Sequence, residues 1–464
     1  MLFNSFQFLI FFLVAIFIYY LIAQRYRWIW LLFSSCVFYM AYKPGYILVI
    51  WAIVLIDYCA ALLIERSVDQ RRKKLLLAIS LISNIGILAY FKYHNFLLES
   101  VEAIFDWSNH PRHFRMHELV LPLGLSFHTF QSMSYTIEVA KGRQKVEKHL
   151  GYFATYVFFF PQMVAGPIEK YATLGKELHK TIHFQYANIS NGFRLMLYGL
   201  FVKVALADSL SVLVDPVFEH PEYYTTATLW ISVFFFSIQI YADFLGYSTI
   251  AVGVASCLGI HLMDNFNHPY FSLNLIDFWK RWHISLTNWF REYVYFSLGG
   301  NRVNYFRWLR NILLIFALSG LWHGADWHYI WWGIAHGIFY LLETPLNGLA
   351  IKNKFIKVVM ILSNFVLISW IWILFRAKDL KTAGFIFTNL FEKHEDKVFS
   401  EIPYKVFFLL IVFGAIEYFT RNKRFDQCLQ NQSLVARWST YTVLLFCVLL
   451  FCEIHSKPFI YFQF

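Results

Sequence analysis

Apolar runs, most of about twenty residues, recur along the whole chain, each closed by charged residues or by proline and glycine. A helix rises 1.5 Å per residue, so about twenty residues cross a hydrocarbon layer about 30 Å thick. The first group of runs is 4–23, 28–42, 45–64, 75–92 and 119–140, with the Lys-Pro-Gly turn at 43–45 making a hairpin of the second and third. Residues 188–214 and 227–260 are longer helical stretches, and 308–323 with 326–346 form a helical pair. Runs 356–375, 404–420 and 437–453 complete the series. The pattern predicts an all-α, polytopic membrane protein with about 11–12 transmembrane helices.

Some segments break the pattern. Residues 150–168 are apolar but carry Pro161 and Pro167, which predicts a kinked or re-entrant piece. Such backbone survives at membrane depth only when buried in protein or lining a cavity. Residues 93–118 are less regular, and no run within 261–310 is apolar enough to cross lipid alone, so that stretch reads as re-entrant or interfacial. Residues 376–403 read as an amphipathic connector. No repeat, linker or low-complexity tract divides residues 1–464, which implies a single membrane domain.

Composition sharpens this picture. The chain is 58% hydrophobic and 15% charged, against about 25% charged in soluble domains. Its net charge of +11 is explained by lysine and arginine in alternate loops, 24–27, 65–74 and 141–149. The positive-inside rule puts those loops in the cytoplasm and the N-terminus outside. No basic stripe interleaved with aromatics lies outside the apolar runs, which argues against nucleic acid as a partner. The cysteines are scattered without a CxxC pair, so neither a zinc site nor a disulfide framework is indicated. The first run lacks a small-residue cleavage site and reads as a retained span rather than a signal peptide.

Candidate chemistry concentrates between Arg281 and Gly324. His323 lies on the order of 20 Å along a helix from Arg310, well inside a core about 30 Å thick. Ionisable residues at such depth are costly and therefore functional candidates. An imidazole kept from water favours its neutral form, which accepts a proton as a general base. The simpler reading is that His323 bonds a neighbouring carbonyl. Gly324 permits close approach of a backbone or a substrate. A metal is disfavoured: His323 and His328 lie roughly 140° apart around a helix, and no HExxH pattern is present. His283 sits in Asp277-Phe278-Trp279-Lys280-Arg281-Trp282-His283, an amphipathic mix that resembles an interfacial helix with headgroup anchors. Arg281 or Lys280 could instead attract an anionic, phosphate-rich substrate from the cytoplasm. Asp57, Glu138, Lys203, Asp208 and Asp243 also fall within or beside apolar runs, where pairing is the simplest explanation.

Several stretches resemble the membrane-bound O-acyltransferase (MBOAT) family, in its bacterial branch that O-acetylates exported polysaccharides. They are Leu121-Pro122-Leu123-Gly124-Leu125-Ser126-Phe127-His128-Thr129-Phe130-Gln131, the Phe160–Ile168 segment, Asp243-Phe244-Leu245-Gly246-Tyr247-Ser248 and Asn265-Phe266-Asn267-His268-Pro269-Tyr270. The most specific are Phe278-Trp279-Lys280-Arg281-Trp282-His283-Ile284-Ser285-Leu286 and Trp322-His323-Gly324. The resemblance implies tilted and re-entrant helices around a central tunnel, in the bacterial cytoplasmic (inner) membrane. It maps the family's essential histidine to His323 and a second histidine to His283. Lys280 departs from the commoner arginine, keeping charge without guanidinium geometry. The implied donor is acetyl-CoA, with no cofactor bound permanently and no metal. The implied acceptor is an extracytoplasmic polysaccharide such as alginate or peptidoglycan, reached through an extracytoplasmic acetyltransferase or acceptor protein, with membrane lipid around the chain. In this reading His323 deprotonates or orients the acceptor hydroxyl, and His283 orients a reacting group or stabilises the oxyanion. Trp322, Arg281, Asn288 and Asp243 form the substrate-binding set, and a covalent acetyl-histidine stays open as an alternative route. A D-alanine exporter of the same family, or an acyl or glycan transporter without chemistry, are the rival readings. The second predicts an internal repeat, which the sequence does not show.

Overall fold

The computed structural model describes residues 1–108, 112, 114, 116, 119–164, 166–346, 351–392, 398, 400–451, 459 and 460. The described residues are helical, joined by turns, with one isolated bridge between Tyr224 and Val398. The chain divides into two units, residues 1–188 with 255–262, and residues 189–254 with 263–464.

The first unit contains α1 (Phe6–Leu21), α2 (Arg27–Met40), α3 (Ile47–Arg66), α4 (Gln70–Leu88), α5 (His94–Trp107), α6 (Leu125–Ala140), α7 (Leu150–Phe158) and α8 (Lys176–His179). Side-chain caps fix two starts: Ser5 Oγ accepts from Phe8 N at 3.2 Å, and Asp69 Oδ1 accepts from Arg71 N at 2.9 Å. Helices α3, α4 and α6 pack on one another, and α2 packs on α7. The segment expected to be kinked stops being helical after Phe158, ahead of Pro161, and Phe158, Phe159 and Phe160 are fully buried. Ser35 Oγ accepts a hydrogen bond from the freed Phe160 N at 3.1 Å, so this non-helical backbone is satisfied inside the protein.

The second unit opens with α9 (Tyr186–Leu200), a π-helical turn at Phe201–Ala207 and α10 (Asp208–Glu219), followed by α11 (Thr226–Cys257). Then come two short helices, α12 (Leu275–Arg281) and α13 (Ile284–Trp289). The rest is α14 (Tyr305–His323), α15 (Trp327–Glu343), α16 (Lys354–Arg376), α17 (Leu380–Asn389), α18 (Tyr404–Thr420), α19 (Phe425–Gln430) and α20 (Leu434–Phe451). Helices α14 and α15 form a tight antiparallel pair. A Cβ on Gly320 would lie 2.1 Å from the Tyr329 carbonyl oxygen, so only glycine allows that backbone approach.

Six helical stretches among the described residues are long and apolar enough to cross a membrane: Pro44–Arg66, Gln70–Trp107, Tyr186–Glu219, Thr226–Cys257, Lys354–Arg376 and Leu434–Phe451. The other expected spans are helices that are shorter or less apolar. Phe6–Leu21 has 16 residues, α2 has 14, α6 has 16, and α15 and α18 have 17 each. Helix α14 has 19 residues, including polar Arg307, Arg310 and Asn311. The segment after residue 92 is more regular than its composition suggests. A π turn at Ala89–Tyr93 absorbs the polar break, and the helix runs on to Trp107. Residues 261–304 contain only short helices, as the lack of a spanning run predicts, and 305–310 begin α14.

One ionic cluster in the second unit is buried. Lys203 Nζ lies 2.7 Å from Asp208 Oδ1 and 2.6 Å from Asp243 Oδ1, with Lys203 2% exposed. The π turn makes the first contact possible, because its i→i+5 pattern stacks residues five apart. Replacing Lys203 with Met should strand two buried carboxylates and cost about 3–5 kcal/mol of stability. Thermal unfolding of detergent-purified protein checks this, and adding Asp208→Asn and Asp243→Asn to Lys203→Met should recover most of the loss.

Candidate functional site

Both histidines sit at helix ends, His283 before the short α13 and His323 at the last position of α14. His283 precedes α13 with φ 42° and ψ 55°, in the left-handed region that L residues rarely adopt. Among the described residues only His268 shares that conformation without being glycine. Such outliers persist only where surrounding structure over-determines them, and they cluster at functional sites.

Asn265 supplies that constraint. Its carbonyl accepts from Ile284 N at 2.9 Å, its Oδ1 accepts from Ser285 Oγ at 2.6 Å, and its Nδ2 donates to Ser248 Oγ at 3.2 Å. Asn267 N donates to the Arg281 carbonyl at 3.0 Å, closing the same pair of segments. The loop 265–268 is thereby laced to residues 281–285 and to α11, and His283 is held where α12 hands over to α13.

His323 is the last residue of α14 and is 3% exposed; His283 is 1% exposed. Trp322 brings them into one cluster: its ring centroid lies 6.1 Å from that of His283 and 4.9 Å from that of His323, edge-on to both. Phe244 closes the other side of His283 at 4.7 Å. Trp332 and Phe375 stand 5.2 and 5.4 Å from His323. Two imidazoles therefore lie in an aromatic enclosure that keeps bulk water away and strengthens polar interactions within it. A Cβ on Gly324 would lie 1.9 Å from the Tyr329 ring, so the close approach expected at this glycine is made by a side chain from α15.

The rest of the expected set is spread around this core. Asp243 belongs to the Lys203 cluster, and its Oδ2 also accepts from Ile460 N at 2.7 Å. Its neighbour Phe244, rather than the carboxylate, meets His283. Arg281 Nε is paired with Asp277 Oδ1 at 2.9 Å, with Nη1 3.4 Å from the Asn267 carbonyl. Asn288 is half-buried on α13. His328 is bonded through Nδ1 to the Leu374 carbonyl at 2.8 Å.

A cavity of about 490 Å³ is lined by Ile284, the residue after His283, with Ser248 and Asn265 and also Tyr241, His268 and Glu417. Arg421, Lys423 and Arg424 line it as well, and Arg424 is already bidentate to Asp426. Glu417 accepts from Tyr241 Oη at 2.8 Å and lies 3.1 Å from His268 Nδ1. Sequence reasoning missed Glu417, although a lone carboxylate in the apolar run 404–420 was a visible signal. It also missed the tethering role of Asn265 and Ser285, which no spacing rule announces.

Comparison with known proteins identifies the family. The family model of the membrane-bound O-acyltransferases (MBOAT) matches residues 70–378, a range that includes His283, Trp322 and His323. The chain is 36% identical over 396 residues, 84% of its length, to 75% of the "Probable alginate O-acetylase AlgI" of Pseudomonas aeruginosa. It is 33% identical over 417 residues to the "Peptidoglycan O-acetyltransferase" of Helicobacter pylori, covering 82% of this chain and 78% of that protein. A more distant relative is the "Teichoic acid D-alanyltransferase" of Bacillus subtilis, 30% identical over 268 residues, 55% of this chain and 66% of the relative.

Replacing Asn265 with Leu should leave the Ile284 contact to the main chain but orphan the Ser285 and Ser248 hydroxyls. The expected cost is about 1–3 kcal/mol. It is read as a lowered unfolding midpoint in detergent, with Ser285→Ala giving a smaller drop.

Proposed function

This chain belongs to the membrane-bound O-acyltransferase family, and on that premise we propose that it passes an acetyl group from cytoplasmic acetyl-CoA toward an extracytoplasmic polysaccharide. The observation that carries the reading is Trp322 standing edge-on to both imidazoles, while Ile284, next to His283 in the chain, lines a cavity with Arg421 and Lys423 on its wall. The chain is a multi-pass membrane enzyme of the acyltransferase class. In this reading it lies in the bacterial inner membrane with its N-terminus outside, and the loop at 421–424 faces the cytoplasm.

The roles follow from the chemistry. Arg421 and Lys423 draw the phosphates of the donor to the cavity, and the thioester points past Ile284 toward the histidines. His323 takes the proton from the acceptor hydroxyl, whose oxygen attacks the thioester carbonyl. In the same reading His283 stabilises the resulting oxyanion, which collapses with loss of the thiolate. The proton held on His323 then returns to the leaving sulfur, so charge balances within the enclosure. Aromatic walls around both rings keep water from competing as acceptor. Alginate or peptidoglycan is the acceptor class that the named relatives suggest, reached through a partner protein outside the membrane. A D-alanyl thioester is the second reading, which rests on the relative that matches the shorter part of the chain.

Replacing His323 with Ala should lower acetyl transfer by about 10²–10⁴-fold while membrane insertion persists. The assay is labelled acetyl transfer by purified protein in liposomes; transfer at the unaltered rate would overturn the proposal. Replacing Arg421 and Lys423 with Ala should raise the KM for acetyl-CoA about tenfold and leave kcat nearly unchanged. Mass spectrometry of cellular polysaccharides with and without the protein identifies the acceptor.

A further inference from the structure

The cavity that carries Arg421 and Lys423 holds a polar pair that the acyl-transfer chemistry above leaves unused. His268 and Glu417 both line it, and His268 Nδ1 lies 3.1 Å from Glu417 Oε2. Glu417, on α18, is 6% exposed. Two further helices hold its carboxylate: Tyr241 Oη on α11 donates to Oε2 at 2.8 Å, and Tyr198 Oη on α9 lies 3.4 Å from Oε1. The backbone of His268 is left-handed, with φ 48°. A residue stays in that region only where its surroundings demand it. Here its carbonyl accepts from Phe271 N at 3.1 Å, starting the turn Pro269–Phe271, while its ring is tied to Glu417. A carboxylate only accepts hydrogen bonds, so Nδ1 carries the hydrogen of the pair. The ring is thereby oriented, and its other nitrogen, Nε2, has no hydrogen-bond partner among the described residues.

Connectivity places this pair between the two ends of the cavity. Arg421 stands four residues beyond Glu417, about 6 Å along the helix. In the other direction His268 ends the loop 265–268, whose Asn265 carbonyl accepts from Ile284 N at 2.9 Å. The lining therefore runs Arg421, Glu417, His268, Asn265, Ile284. A carboxylate repels phosphate, so Glu417 keeps a donor's phosphates at Arg421 and Lys423. What joins those phosphates to the thioester of acetyl-CoA is a neutral arm with two amides. An amide suits Nε2 in either charge state, giving N–H to a neutral imidazole and C=O to a protonated one.

We propose that His268 binds an amide of the donor's pantetheine arm through Nε2, with Glu417 as the residue that positions its ring. The inference rests on the acyl-transfer reading and adds a subsite to it. The test is labelled acetyl transfer by the full-length protein in liposomes, from acetyl-CoA and from S-acetyl-pantetheine, which has the arm but no phosphate. His268→Asn is the first variant, because asparagine tolerates left-handed backbone and its shorter side chain withdraws the ring nitrogen. It should raise KM for both donors by a common factor of about five, with kcat nearly unchanged. Because that variant could fail to fold, Glu417→Gln is the second probe. It keeps an acceptor for His268 Nδ1 and for Tyr241, and should raise both KM values by a smaller common factor. A rise confined to acetyl-CoA would overturn the inference, since it would make His268 a phosphate contact. So would parent KM values in either folded variant, or a fall in kcat at unchanged KM. No transfer from either donor by the unaltered protein would overturn the acyl-transfer reading itself, and the subsite with it.

Discussion

One residue, Asn265, holds together through its main chain and its side chain the part of the second unit on which its chemistry depends. Short helices and turns cannot satisfy their own backbone as a long helix does, and away from water every such group needs a protein partner. Asn265 meets that need three ways, to Ile284, Ser285 and Ser248, and in doing so fixes the turn between α12 and α13. The left-handed backbone of His283 is a consequence of that lacing. The imidazole is presented to Trp322 and Phe244 because the turn has no freedom to point it elsewhere.

The same rule, that polar groups out of water must be paired within the protein, organises other parts of the chain. In the second unit it produces the Lys203 cluster and the Glu417 network with Tyr241 and His268. In the first it produces the Phe160 turn held by Ser35 and the hydroxyl-rich shell around Asp57. Specific chemistry is laid over this bonding. Aromatic rings supply the walls, because they are bulky, pack edge-on, and bring no polar group except the indole N–H. His323 is framed by Trp322, Trp332 and Phe375 in this way.

Much of this was legible in the sequence, for physical reasons. The runs at 404–420 and 356–375 became α18 and α16 nearly residue for residue, since an unbroken apolar run without proline favours one continuous helix. His323 and Trp322 stood out because a histidine deep in an apolar run is costly, and the structure places their rings together with His283. What stayed hidden depended on departures from regular geometry. An α-helical spacing puts Lys203 and Asp208 on different faces; only the π turn brings them together. Hydropathy likewise marked a break near Lys92 where the helix continues through another π turn. Asp243 drew notice as an embedded acid, yet its partners, Lys203 and the main chain of Ile460, are remote in sequence or lie in a stretch without a signal.

The central claim is that a thioester can reach His323 from the basic-lined cavity beside His283. Its most direct test is an experimental structure of the protein with a thioether analogue of acetyl-CoA that cannot transfer its acyl group. The account predicts phosphates against Arg421 and Lys423 and the acyl carbon in the aromatic enclosure, leaving room for a hydroxyl about 3–3.5 Å away beside His323. An analogue bound elsewhere, with the rings around His323 closed against it, would contradict the account.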